Sequence, residues 1–150
     1  MTLLQWARVW SPVVPVEETC TAWRALGLPG DAEALHAEFL ATFHYGAPLP
    51  VVPLLLHHTL NMPGDGARED WMRALSWLEL QYGDKRLPPD HLAVACEIVA
   101  VAQARGENVL VDELRRRYLL PWCSAASERL AKAGSDLLAI TECFAQDLAA

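Results

Sequence analysis

The chain carries none of the short patterns that usually announce chemistry. It has no GxSxG nucleophile elbow, no Walker lysine after a Gly-rich loop, no dinucleotide fingerprint and no HExxH. Its glycines sit at positions that read as helix ends, where their freedom to reach positive φ is useful. Positive charge is scarce. Lys and Arg number 12 against 19 Asp and Glu, for a formal charge of -7, which disfavours the phosphate backbone of nucleic acid. Long apolar runs are missing too. The longest, Pro48 to Leu56, is too short and too proline-rich to span a membrane. The N-terminus, with Trp6, Arg8 and Trp10 interspersed, lacks the basic start and continuous apolar core of a signal peptide, so a cytoplasmic location is expected. The cysteines Cys20, Cys96, Cys123 and Cys143 form no CxxC pair and read as reduced, buried thiols.

What the chain has is apolar surface to bury. At 150 residues with 53% hydrophobic composition it reads as one domain, 1–150, able to build its own core. Helical periodicity dominates. Met1–Trp10 is a short helix or an arm, broken by Ser11-Pro12, and Glu17 to Leu26 is a helix ended by Gly27. Asp31 starts a helix to about His44, with Leu35, Phe39, Leu40 and Phe43 as its core stripe. Val51 to Leu60 is ambiguous. Its valines suit a strand, but a lone strand has no partner, so helix is favoured from Leu54 onward.

Pro63-Gly64-Asp65-Gly66 reads as a loop, followed by a helix from about Ala67 to Tyr82 with Trp71, Leu75, Leu78 and Tyr82 on one face. Trp77 lies off that stripe and reads as an exposed anchor. A turn over Gly83 to Leu87 precedes a helix from Pro88 to about Arg105. That helix is apolar nearly all round and belongs at the centre of a bundle. Val109 to Leu120 leads to Pro121, which should kink or restart the helix. Gly134 and Ser135 supply a C-terminal turn and an N-cap before the last helix, about Asp136 to Leu148. The expectation is an all-α, irregular bundle of six to eight helices.

Candidate chemistry is thin. His57 and His58 are adjacent, so on a helix they point about 100° apart and do not share an ion, and no metal site or cofactor is expected. Asp90 reads as a helix cap after Pro89, with His91 beside it. As an acid–base pair the two would need polar neighbours that the sequence does not supply. Arg115-Arg116-Arg117 is a solvated face, or pairs with acidic groups of the chain itself or of a partner. Trp122, four residues from Tyr118, reads chiefly as core.

Two segments carry a resemblance. Pro88, Asp90 and His91 followed by an apolar helix with Glu97, and Leu119, Pro121 and Trp122 with Tyr118 ahead of them, occur in the order and at the separation found in one family. Upstream, Phe39 and Phe43 lead into Gly46-Ala47-Pro48 in the same manner. In these elements, over roughly Leu35 to Leu148, the chain resembles the TorD/DmsD/NarJ superfamily of redox-enzyme maturation chaperones. It departs from that pattern at Tyr118, where histidine is usual, and in a shortened N-terminal region, 1–30.

The resemblance implies an all-helical, non-enzymatic protein, monomeric or homodimeric. Its partner would be the apo catalytic subunit of a molybdopterin oxidoreductase, held by a twin-arginine signal peptide or an N-terminal segment until the cofactor is inserted. A groove between helices would take apolar side chains of the client, with acidic residues around it to meet the arginines. The partner-binding residues expected on this basis are Asp90, His91, Glu97, Tyr118 and Trp122, joined by the exposed anchor Trp77. The alternative is a helical adaptor that stays in a mature redox complex.

Overall fold

A computed structural model describes residues 2–82 and 86–150. Thr2–Trp10 forms α1, Val16–Ala25 α2 and Ala32–Phe43 α3, and a single turn, Leu56–Thr59, forms α4. Gly64–Trp77 is α5, Leu92–Ala104 α6, Asn108–Leu114 α7, Leu120–Ala133 α8 and Leu138–Ala149 α9. Because α7 runs through a π-helical segment, Arg115–Leu119, directly into α8, the result is an irregular all-α bundle of about eight helices. Of the turn expected over 83–87, residues 83–85 lie outside the described residues.

Helix α6 is buried on almost every side, as its apolar circumference requires, and packs chiefly on α1, with α5 and α7 on its other flanks. One face of α1, with Leu3, Trp6, Ala7, Val9 and Trp10, is therefore core. Trp6 and Trp10 are fully buried, and the Trp6 indole N–H donates to Asp147 Oδ2 of α9 at 2.7 Å. The Trp10 ring packs 5.3 Å from Trp122, 5.2 Å from Phe43 and 5.5 Å from Phe144, which draws α1, α3, α8 and α9 together.

Several boundaries have local causes. Asp31 caps α3 by accepting the Glu33 N–H, and Gly134 closes α8 at φ 63° while Ser135 Oγ accepts the Leu137 N–H. The expected loop at 63–66 is instead mostly helix. Pro63 sits at the N-cap and α5 starts at Gly64, so residues that favour turns also serve the first helical turn. The helix also stops at Trp77, short of Tyr82.

Pro121 falls at a restart: it occupies the first turn of α8, which begins at Leu120 directly after the π-helical segment. Proline cannot donate to a carbonyl four residues back, and its ring collides with that carbonyl. The turn before it widens instead, with Leu120 N–H bonded to Arg115 O, five residues earlier. The helix expected from Leu54 is reduced to α4. Residues 50–55 form no helix, and Leu55 does find a partner, an antiparallel bridge to His91.

Candidate functional site

Both segments that carry the family resemblance converge on one stretch of chain, residues 51–59. From α8, the Trp122 indole N–H donates to Pro53 O at 3.1 Å, and Arg129 donates to Val51 O and Thr59 O. Thr59 Oγ1 donates to the same Pro53 carbonyl. From the start of α6, Leu92 N–H bonds Leu54 O at 2.8 Å, and Leu56 N–H bonds Asp90 O at 3.0 Å. Val52 N–H reaches Thr42 O at the end of α3. The stretch is a strap. Ahead of α4 its backbone groups bond chiefly to neighbours on three sides rather than within a helix or sheet of its own.

Asp90 works on this strap and does not cap α6. Its carboxylate is fully buried, with Oδ2 2.5 Å from His57 Nδ1 and also accepting the His57 N–H at 3.3 Å. Oδ1 has no hydrogen bond, and the Arg68 guanidinium lies 3.8 Å away. A charge this deep is tolerated because opposite charge and N–H donors surround it. Gly64 makes room for the His57 ring, since a Cβ there would lie 3.2 Å from it. Among the described residues no hydroxyl or thiol bonds the His57 ring, and the pair ties His57 to the residue two places ahead of α6.

The cap of α6 is His91. Its Nδ1 accepts the Ala93 N–H at 3.1 Å, which an imidazolium cannot do.

The strap walls an apolar trough of about 280 Å³. Pro50, Pro53, Leu54, Leu55 and His58 form one side. Phe43 and His44 from the end of α3 line it with Pro12, Leu87, Pro88 and His91. A second hollow of about 190 Å³ adjoins it through the shared Pro12 and His44. No Asp, Glu, Lys or Arg lines either hollow among the described residues. Tyr45, which lines the second hollow, is 64% exposed, and Leu49, which lines the trough, is about half exposed.

The imidazoles do not supply charge. Burial, with His44 nearby, brings His91 down to about 4, and burial with His36 nearby brings His44 down to about 4. Burial lowers His58 as well.

Stability should follow these histidines. Between pH 6.5 and 4 the unfolded chain binds more protons than the folded one, so the stabilisation is complete above 6.5 and lost as pH falls through 4. His91 alone accounts for about 3 kcal/mol of it. Urea unfolding across that range should show a midpoint that falls with pH in the wild type and falls less in His91→Asn, whose side-chain oxygen still caps Ala93. An equal pH slope in the two proteins would remove His91 from this account.

The other expected residues are dispersed. Trp122 is fully buried. Tyr118 is buried too, with its hydroxyl donating to Asp70 of α5, so neither offers surface to a partner in this conformation. The same holds for Asp90. Glu97 is half-buried on the α1 side of α6 and lines a separate hollow with Arg8, away from the trough. Trp77 is 68% exposed on α5, as its position off the stripe implies, and it does not line the trough. Only His91 of the expected set reaches the trough.

The arginine run is spent within the chain: Arg115 on Leu148 O, Arg116 on Glu113 and Arg117 on Asp70. The four cysteines are free, and burial pushes the Cys123 thiol up to about 12. Among the described residues no three His, Cys, Asp or Glu side chains are grouped to hold an ion, and no helix is long and apolar enough to cross a membrane.

Sequence reasoning missed His57, Arg68, Thr59 and Arg129. Their partners lie far away along the chain, at separations of 33 positions for His57–Asp90 and 70 for Arg129–Thr59, and no periodicity encodes that.

Fold and site together describe an all-helical protein with an apolar, uncharged trough. The architecture is that of a crystal structure from Archaeoglobus fulgidus described as a "putative redox enzyme maturation protein". The likeness has a TM-score of 0.70 at 20% identity and covers 99% of this chain and 92% of the other. It reaches well ahead of Leu35, so α1 and α2 belong to the shared architecture. No family profile and no curated protein sequence matches the chain.

Proposed function

We propose that this protein is a maturation chaperone. It would bind the apo catalytic subunit of a molybdenum-containing oxidoreductase, through a twin-arginine signal peptide or an N-terminal segment, and hold it for cofactor insertion. The observation that carries the reading is the likeness, along nearly the whole chain, to a protein described as a redox enzyme maturation protein. The trough gives it a physical basis. A concave, uncharged surface edged by Tyr45 and Leu49 suits an apolar peptide stretch.

The expected ring of carboxylates is replaced by neutral imidazole and proline, so the trough takes the apolar part of a client segment. Basic residues of the client would be drawn by the overall charge of -7.

The direct test is capture of the co-expressed catalytic subunit. The cofactor-free form should be retained and the cofactor-loaded form released. Equal retention of both would favour a permanent adaptor. At the level of the trough, Leu49→Asp should weaken binding of a synthetic peptide, two arginines followed by an uncharged Leu/Ala stretch, by roughly ten-fold in fluorescence anisotropy. Since Leu49 is half exposed, thermal stability should hardly change.

A further inference from the structure

We infer that Asp90 and Trp122 act on client binding at one remove, by holding the 51–59 strap in place as a wall of the trough, and that Arg129 is a third positioning residue of the same kind. This rests on the chaperone reading above.

Three observations support it. First, Asp90 and Trp122 have no exposed surface, so a client cannot touch them in this conformation. Second, their side-chain hydrogen bonds end on the strap: Asp90 Oδ2 on His57 and Trp122 on Pro53, with Arg129 adding Val51 and Thr59, while the Asp90 carbonyl accepts the Leu56 N–H. Third, the strap between residues 50 and 55 has no helix of its own, yet Pro53, Leu54, Leu55 and His58 face the trough. A segment without internal backbone bonds opens locally with little free energy unless its surroundings pin it. The side-chain bonds from α8 and the Asp90 lock are such pins. Releasing them blurs the wall, and a ligand must then restore its order on binding.

Arg129 allows a clean test because it is only half-buried and its removal leaves no buried orphan charge. Arg129→Gln, Asp90→Asn and the double variant would be compared with the wild type. The measurements are hydrogen exchange along the chain, urea unfolding, and anisotropy with the same two-arginine Leu/Ala peptide. Arg129→Gln should speed exchange selectively over 51–59 and weaken the peptide roughly five-fold, with global unfolding almost unchanged. Asp90→Asn should give the same local pattern. The double variant should bind little worse than the weaker single one, because both release one element, whereas independent effects would add.

The inference is overturned if exchange over 51–59 rises while affinity holds. It is equally overturned if affinity falls with no change in that exchange, or if the two effects add. Should Asp90→Asn not fold, Arg129→Gln alone still decides between the first two outcomes. Failure of the chaperone reading looks different: the wild type ignores the peptide, or Leu49→Asp binds it as well as the wild type, and the inference then falls with that reading.

Discussion

Trp122→Ala is expected to destabilise the protein by about 4 kcal/mol. The indole is fully buried and touches Trp10, Phe43 and Phe144, whose rings come from α1, α3 and α9. Its removal leaves a void that aromatic neighbours, with only two rotatable side-chain bonds each, fill poorly. Against a typical stability of about 5–15 kcal/mol the variant is left marginal.

Trp122→Phe separates the ring from its polar handle. Most of the packing stays, and the Pro53 carbonyl keeps the Thr59 hydroxyl as a partner. The phenyl variant should therefore cost only about 1–2 kcal/mol. Urea unfolding followed by circular dichroism measures both. Similar losses in the two variants would mean that the hydrogen bond to the strap, and not the packing, is what Trp122 supplies.

Asp90→Ala should cost about 3–5 kcal/mol, several times the loss of a helix cap. Truncation strands the His57 imidazole and its backbone N–H in a site closed to water, and takes away the carboxylate that faces Arg68. The start of α6 survives, because His91 and not Asp90 accepts the Ala93 N–H. Helix content should thus be nearly intact below the unfolding transition. The double replacement His57→Phe with Asp90→Leu exchanges the pair for apolar groups and should recover most of the loss. A loss near 1 kcal/mol for Asp90→Ala, with no recovery in the double variant, would restore the simple capping role.

The helices were legible wherever a stripe repeats every three to four residues, because such periodicity is local. The Phe39–Phe43 face of α3 and the uninterrupted apolar girth of α6 are examples. Ambiguity entered where one residue type serves two purposes. Proline and glycine at 63–66 favour both a turn and the opening of a helix, and composition alone does not choose. Asp90 shows the same limit at the site. An acidic residue beside a helix start looks like a cap, and only the fold brings His57 and Arg68 up to it. The strap was harder still, since most of the bonds that hold it ahead of α4 come from elsewhere in the chain. Pro121 is legible as a perturbation and restart, and the π turn ahead of it, with a bond five residues back, is the part that sequence does not announce.

The bond between the Trp6 indole and Asp147 spans 141 positions. Synthesis runs from α1 towards α9, so Trp6 meets Phe144 and Asp147 only after every intervening helix has been made. A protein proposed to shelter an unfinished client thus completes its own aromatic core late, and part of its apolar face needs shelter in the interval.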